Sequence, residues 1–311
     1  MSATATISRR RLLAGALGAL PAICASRPPG TLVDVHVHLF AADPVQFPYP
    51  PDAPYQPKPS PLEDYVKVVA AARLDHTVIV HPEPYQDDHR YLEYCFAHEP
   101  SPGYFKGTCL FDPIAPRTPE RMEALVKRNP GRIVALRIHE TRKPGTPPSS
   151  SGPIKDRDMQ SPAMENTWRK AQELGLAIQM HFLPYFAPQI GELARKSPGV
   201  TVLLDHLARA GQGTPADFDQ VLQLARHPRV YMKYSGIEYS SKQPYPYPDA
   251  KPLVRRAFDA FGPDRMLWGG IGNTLEDFDR QVRLFDLMFD FAAESDRAKI
   301  RGLNALKLFG F

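Results

Sequence analysis

The chain has 311 residues, of which 43% are hydrophobic and 23% are charged, a composition typical of a folded globular protein. Its formal net charge is +4, but the first 25 residues contribute three arginines and no acid, so the rest of the chain is nearly neutral. Charge therefore gives no indication of a nucleic-acid or polyanion partner, and the length allows either one large barrel or two ordinary domains.

Residues 1–25 resemble an export signal. Three arginines, Arg9–Arg11, precede an apolar stretch from Leu12 to Ala25, the arrangement of a bacterial twin-arginine signal with cleavage at its end. A membrane anchor is the alternative, but a stretch of roughly 14 residues that contains Pro21 is short for a span. We predict a periplasmic protein with no stable membrane span, whose folded part is residues 26–311.

Two cysteines, Cys95 and Cys109, remain in that predicted mature chain. An oxidising compartment would allow a disulfide between them, whereas burial would keep them as free thiols. The sequence leaves both alternatives open.

The first predicted strand carries two histidines on one face. The motif Asp34-Val35-His36-Val37-His38 lies within a short apolar run. Because side chains alternate along a β-strand, Asp34, His36 and His38 project to one side while the valines pack on the other. The pattern indicates one of two things: a metal or catalytic site, or a buried pair of histidines that hydrogen-bond each other. This motif alone does not distinguish the two.

Beyond this strand, short apolar runs alternate with longer amphipathic ones, as in parallel strands joined by helices. Eight strands are predicted, at Leu32–His38, His76–His81, Lys106–Phe111, Ile133–His139, Leu176–His181, Val200–His206, Val230–Gly236 and Arg265–Gly269. Predicted helices include Leu62–Arg73, Pro119–Arg128, Met164–Leu174, Ala187–Lys196, Pro215–Ala225, Pro252–Phe261 and Leu275–Ala293. This count predicts an α/β fold, a single (β/α)8 TIM barrel. An open doubly wound sheet is disfavoured because no GxGxxG follows the first strand.

Proline is concentrated in three segments, Pro44–Pro61, Pro144–Pro162 and Pro244–Pro252. Each follows a predicted strand, so in a barrel all three would lie at the carboxyl face, where active sites are found. We predict long Pro-rich loops that cover a pocket there, with solvated surface loops as the alternative.

Histidines gather at the carboxyl ends of the predicted strands. The pair on the first strand is joined there by His81, Arg137, His139, His181, Asp205 and His206. A single terminal histidine is usually structural, but six of the ten histidines at one rim of a barrel predict an active site.

The order of these motifs resembles the amidohydrolase-related group of the amidohydrolase superfamily, which includes metal-dependent decarboxylases, hydratases and lactonases of small carboxylated substrates. The segments that carry the resemblance are, in order, Asp34-Val35-His36-Val37-His38, Met180-His181, Leu204-Asp205-His206-Leu207, Val230–Gly236, Arg265–Gly269 and Asn304–Gly310. Together they cover essentially the whole predicted mature chain.

By this resemblance, His36, His38 and His181 correspond to metal ligands, and His206 corresponds to the catalytic histidine. Three imidazoles leave a divalent ion with an open position and lower the pKa of its bound water. The expected metal is zinc or manganese, although imidazole ligands alone do not discriminate between metals. A neutral histidine nearby is suited to moving protons near neutral pH.

Arg137 resembles the arginine that anchors a substrate carboxylate in lactone-hydrolysing members. A planar guanidinium binds such a group at two points, and the alternative is an ion pair with Glu140 or Asp112. His139, one inward position further along, is predicted to be a second substrate contact. Lys233 is also expected to face inward, where it holds a substrate oxygen or pairs with an acid.

The eighth strand departs from the family pattern. The family usually follows its Trp-Gly with Ser-Asp, and that Asp approaches the metal and takes a proton from the attacking water. Here the chain reads Trp268-Gly269-Gly270-Ile271, with no acid before Glu276. Three interpretations stay open: a metal held by histidines with another base such as His206 or Glu238, a metal-free reaction, and a catalytically silent barrel that binds a small carboxylated ligand.

We predict a hydrolase of a small lactone or related carboxylated ester or amide, with a histidine-held divalent metal. Decarboxylase-like chemistry is a further alternative within the same group. The expected partner is a small-molecule substrate, and the sequence specifies neither that substrate nor the oligomeric state.

Overall fold

Eight short parallel strands follow one another around the molecule in the order β1 to β8, and β1 in turn approaches β8. The computed structural model describes residues 29–270 and 272–311. The strands are β1 Val33–Val37, β2 His76–Val80, β3 Phe105–Cys109, β4 Ile133–Glu140, β5 Ala177–Phe182, β6 Val202–Leu204, β7 Val230–Tyr234 and β8 Met266–Trp268. Interleaved helices complete a nearly closed (β/α)8 barrel, which confirms the predicted fold.

Helices lie between the strands and after the last one. They are α1 Leu62–Ala72, α2 Arg90–Ala97, α3 Thr118–Arg128, α4 Pro162–Glu173, α5 Ala187–Lys196, α6 Pro215–Gln223, α7 Lys251–Phe261, α8 Leu275–Met288, α9 Glu294–Ala298 and α10 Asn304–Phe309. Two of them begin after residues that cap the helix N-terminus. Thr214 caps α6 through the backbone N–H of Asp217, and Ser161 caps α4, whose first residue is Pro162.

Several strands end earlier than the sequence pattern predicts. His206 was expected within the sixth strand, but β6 ends at Leu204 and the chain turns sharply after Asp205. At the opposite end of the barrel, early strand residues such as Val33 and Leu267 form an apolar cluster with Phe309 of α10. The amino end of the barrel is therefore packed with apolar side chains, which leaves the carboxyl end for polar groups.

Two of the Pro-rich segments contact residues at or just after the carboxyl ends of the strands. In the segment 144–162, the Asp156 N–H donates to the His139 carbonyl at 2.9 Å, and the Ile154 N–H donates to the Gln86 side chain at 2.6 Å. In the segment 44–61, the Tyr49 ring packs against Tyr85 at 4.8 Å. A cavity of about 430 Å³ lies between these two segments. The third segment contacts α8, where Arg280 donates to the Tyr247 hydroxyl.

Cys95 and Cys109 are buried free thiols, so the structure has no disulfide between them. Burial raises the pKa of the Cys109 thiol to about 12, which makes it unreactive. No helix among the residues described is long and apolar enough to cross a membrane. The predicted signal at residues 1–25 lies outside the described residues.

Candidate active site

A buried carboxylate, Asp205, lies at the centre of the polar cluster inside the barrel. Its Oδ2 accepts hydrogen bonds from Arg137 Nε at 3.1 Å and from Gln179 Nε2 at 3.0 Å, and its Oδ1 is 3.0 Å from Lys233 Nζ. Burial alone would raise the pKa of Asp205, but the charges of Lys233 and Arg137 outweigh it and hold that pKa well below the ordinary value. Asp205 is therefore a fixed negative charge that links β4, β5 and β7.

This network identifies the partners of two residues that the sequence left open. Arg137 pairs with Asp205 and not with Glu140 or Asp112, each of which pairs with a different arginine. Lys233 pairs with an acid, one of its two predicted alternatives. The role of Arg137 as an anchor for substrate stays a prediction.

The two histidines of β1 meet at one point, as alternation along the strand predicts. His36 Nε2 and His38 Nε2 are 3.3 Å apart, and His38 Nδ1 donates to the Val80 carbonyl at 2.7 Å. On the other side of the His36 ring, Nδ1 is 3.0 Å from Lys233 Nζ. Burial lowers the pKa of His38 to about 3 and that of His36 well below its ordinary value. Both imidazoles are therefore neutral near pH 7.

The catalytic candidate His206 begins a left-handed turn of four residues. His206, Leu207, Ala208 and Arg209 have φ angles of 56°, 51°, 53° and 49°. Residues other than glycine lose about 1–2 kcal/mol each in this conformation, so surrounding packing has to hold it. Leu207 and Ala208 are fully buried and anchor the turn. The result is that His206 and Arg209 both reach the polar end of the barrel.

The end of β7 fixes the orientation of the His206 ring. Ser235 Oγ is 3.0 Å from His206 Nδ1. The next residue, Gly236, has a φ of +52°, and a Cβ there would lie 2.7 Å from the same Nδ1. Burial lowers the pKa of His206 well below its ordinary value, although Asp205 acts in the opposite direction. His206 is thus a neutral imidazole held by a hydroxyl and by close backbone packing.

His139 and His181 are the least satisfied polar side chains of the cluster. Both ring nitrogens of each are buried and have no hydrogen-bond partner. The two rings are 5.1 Å apart, and His181 is 5.1 Å from the ring of His206. An unpaired buried polar group costs about 1–3 kcal/mol, so these four nitrogens are available for a ligand. Burial also lowers the pKa of both imidazoles well below the ordinary value.

Arg209 is a functional candidate that the sequence pattern does not single out. Its guanidinium lies over the Tyr239 ring at 4.3 Å, and that ring is 5.2 Å from the ring of His206. The buried Arg209 Nε has no hydrogen-bond partner. The available signal was an arginine three positions after the candidate catalytic histidine, but only the left-handed turn brings the two side chains to one place.

The eighth-strand position that departs from the family pattern, Ile271, lies outside the described residues. Around it, the Gly270 N–H donates to Asp34 Oδ1 at 2.8 Å, and Asn273 Nδ2 donates to the His38 carbonyl at 2.8 Å. Asp34 also accepts from the His36 N–H, and burial raises its pKa to about 6. Asp34 therefore joins β1 to the end of β8 and has a structural role.

The donor set fits a divalent metal ion. His36, Asp205 and His206 each offer a ligand atom, and within the described part of the chain these three atoms lie within 4.8 Å of one another. The 3.3 Å between the Nε2 atoms of His36 and His38 matches two ligands of one tetrahedral ion, whose bonds of about 2.0–2.1 Å place neighbouring ligands roughly 3.4 Å apart. The third predicted ligand, His181, lies outside that group of three and packs against His206.

Comparison with known proteins identifies the family of this chain. The amidohydrolase family profile (Amidohydro_2) matches residues 33–311. The 4-sulfomuconolactone hydrolase of Hydrogenophaga intermedia is 27% identical over an alignment of 303 positions, which covers 91% of this chain and 89% of that protein.

Two solved structures share the fold. One is a probable 2-pyrone-4,6-dicarboxylic acid hydrolase from Acinetobacter baumannii with citric acid bound, with a TM-score of 0.71, 17% identity, and coverage of 90% of this chain and 100% of that one. The other is an amidohydrolase from Burkholderia multivorans with bound zinc, with a TM-score of 0.67, 15% identity, and coverage of 91% and 100%. Because the family profile spans all eight strands and the site, this chain belongs to the amidohydrolase family and is a hydrolase.

Proposed function

We propose that this protein hydrolyses a small lactone that carries an acidic substituent. The observation that carries the proposal is the pair of unpartnered buried nitrogens of His139, whose ring is 5.1 Å from that of His181, together with the cationic Arg209 near His181. Imidazoles can hydrogen-bond a lactone carbonyl, and a guanidinium binds a carboxylate or sulfonate. The likeness to a sulfomuconolactone hydrolase over nearly the whole chain supports the same substrate class.

In this proposal, each polar side chain has a separate task. Arg209 binds the acidic substituent of the substrate, with Arg137 as the second predicted anchor. His139 contacts the lactone ring. Ser235 holds Nδ1 of His206, so that the remaining ring nitrogen of His206 accepts a proton from the attacking water and then passes it to the leaving oxygen. Burial keeps His206 neutral near neutral pH, so this nitrogen has a free lone pair for the proton.

His36 and His38, with His181 as the third predicted ligand, would hold a zinc or manganese ion. Such an ion, when bound, supplies a Lewis acid and a water molecule of lowered pKa. Asp205 is unsuited to replace the acid expected after the eighth strand, because both of its oxygens are engaged in ion pairs, with Lys233 at 3.0 Å and with Arg137 at 3.1 Å. We therefore assign the proton-transfer role to His206.

Hydrolysis without a metal is the second candidate. The observation that favours it is the Lys233 ammonium, which is 3.0 Å from His36 Nδ1 and already brings a positive charge to the predicted ligand set.

A substrate panel tests the proposal. Purified protein is assayed with lactones that carry a carboxylate or sulfonate and with matched neutral lactones, after chelation and after addition of zinc or manganese. We expect the acidic lactones to be hydrolysed with a much lower KM than the matched neutral lactones. The variant His206→Asn should lower kcat by about 10²–10⁴-fold, the usual contribution of a general acid–base group.

His98→Asn is the matched control, because His98 lies at the exposed end of α2 and away from the site. Binding of acidic lactones without turnover under every metal condition would contradict the proposal and favour a ligand-binding barrel. Equal activity with and without chelation would favour the metal-free mode.

We also propose that residues 1–25 direct export to the periplasm by the twin-arginine route. The proposal is supported by Arg9–Arg11 and the apolar residues that follow them. A fusion of residues 1–30 to a folded reporter should reach the periplasm, and replacement of the three arginines by lysine should keep the reporter in the cytoplasm. Export that is unchanged by this replacement would contradict the proposal.

A further inference from the structure

A buried lysine faces the predicted metal ligands from the opposite side of the His36 ring. Lys233 is 1% exposed, and its Nζ is 3.0 Å from both His36 Nδ1 and Asp205 Oδ1. We propose that the Lys233 ammonium limits the metal affinity of the His36–His38 pair, both through its charge and by fixing the position of the proton on His36. The inference rests on the divalent-metal site proposed above and is independent of the substrate.

The hydrogen bonds determine where each proton lies. An ammonium group has donors only, so Lys233 donates to His36 Nδ1, which therefore carries no proton. At the far end, the Val80 carbonyl can only accept, so His38 Nδ1 carries the proton and His38 Nε2 is free. Neutral His36 then has its proton on Nε2 and donates it to His38 Nε2. The hydrogen bonds from Lys233 through His36 and His38 to Val80 thus assign one proton to each pair of atoms.

Metal binding requires a different arrangement of the same atoms. Both Nε2 atoms have to be free of protons, because a ligating histidine binds through an unprotonated nitrogen. Such a histidine usually donates its other N–H to a carboxylate. Asp205 Oδ1 is the carboxylate oxygen available for this, at 3.6 Å from His36 Nδ1. Lys233 contacts both of these atoms more closely and so competes with their direct hydrogen bond.

The charge of Lys233 also lowers the metal affinity of the His36–His38 pair. A lysine ammonium and a divalent cation on opposite nitrogens of one imidazole repel each other, and repulsion is strong in a buried site of low dielectric constant. Removing Lys233 leaves Asp205 paired through Oδ2 with Arg137 and Gln179, so the acid keeps partners. The lysine can therefore be replaced without leaving Asp205 unpaired.

Two variants separate charge from hydrogen bonding. Lys233→Met removes both, and Lys233→Gln removes the charge but keeps a donor. Lys170→Met is the control, because Lys170 pairs with Glu123 on the outer helices. Chelated protein is titrated with Zn²⁺ against a chromophoric competitor. We expect Lys233→Met to bind Zn²⁺ about tenfold or more tightly than the wild type, the scale of effects from groups that contact metal ligands. Lys233→Gln, which keeps the donor, should bind Zn²⁺ more tightly than the wild type but less tightly than Lys233→Met. Lys170→Met should match the wild type.

Nitrogen-15 NMR of the histidine rings reports the proton position directly. In the wild-type protein without metal, His36 should carry its proton on Nε2, and in Lys233→Met the proton should move to Nδ1. A wild-type His36 with its proton on Nδ1 overturns the inference even if the variants do not fold. Equal zinc affinity of the wild type and both Lys233 variants overturns it while leaving the metal site intact. Failure of all proteins to bind zinc overturns the metal site and the inference together.

Discussion

Replacing Gly236 by alanine is the most direct test of how the fold positions His206. The φ of Gly236 is +52°, and an added Cβ would lie 2.7 Å from His206 Nδ1 and 2.8 Å from Tyr239 Cδ2. The left-handed conformation costs alanine about 1–2 kcal/mol, and overpacking at such a contact adds about 1–3 kcal/mol. We therefore expect Gly236→Ala to lower the free energy of unfolding by about 2–5 kcal/mol.

Gly310→Ala provides a control with the same backbone conformation and no contact. Gly310 follows α10 with φ of 66° and ψ of 50°, close to the 52° and 44° of Gly236, and nothing lies within 4 Å of its added Cβ. It should therefore lose only the backbone contribution, about 1–2 kcal/mol. The difference between the two variants isolates the contacts with His206 and Tyr239.

Urea unfolding gives both free energies, and hydrolysis of the best acidic lactone gives the functional effect. Because the His206 ring has to move away from Ser235, kcat should fall about 100-fold in Gly236→Ala, as expected for a catalytic group displaced by about 1 Å. The reasoning is refuted if the two glycine variants unfold with free energies within about 0.5 kcal/mol of each other and Gly236→Ala keeps its activity.

Three further predictions follow from the charged groups. Arg209→Ala should raise KM for acidic lactones about 10- to 100-fold, because it removes one charge-assisted hydrogen bond. It should leave KM for neutral lactones unchanged, and an equal rise in KM for both kinds of lactone would argue against anion binding. Asp205→Asn leaves two buried cations without their acid, so urea unfolding should show a free energy of unfolding lower by about 3–5 kcal/mol. The control Asp219→Asn breaks an exposed ion pair and should change the free energy of unfolding by under about 1 kcal/mol. Burial raises the pKa of Glu140 from its ordinary 4.5 to about 7, so its protonated form is favoured in the folded state. The free energy of unfolding should therefore fall as pH rises from 4.5 to about 7, and Glu140→Gln should flatten that slope.

The barrel and the family could be predicted from the sequence because both depend on local patterns. Alternating apolar runs and helix signals locate all eight strands, and the side-chain alternation along β1 correctly brings the Nε2 atoms of His36 and His38 together. The Pro-rich segments 44–61 and 144–162 also lie at the carboxyl face, as their positions after strands predict. The ends of the strands are predicted less accurately, because the sequence pattern does not show at which polar residue the strand stops.

Tertiary structure decided which polar groups are partners. Strand alternation predicts that Arg137 and Lys233 face inward, but their common acid, Asp205, is distant from both in sequence and reaches them only across the barrel. Arg209 could not be assigned from spacing, because four consecutive left-handed residues are held by packing and have no signature in the sequence.

The sequence by itself determined the barrel and the histidines at its carboxyl end, since local periodicity and residue type were sufficient for both. Only the tertiary structure decided that Lys233 contacts His36, that Ser235 and Gly236 orient His206, and that His139 and His181 have free nitrogens. Hydrogen bonds and charge pairing depend on distances of about 3 Å between residues far apart in the chain, and those distances exist only once the barrel has formed.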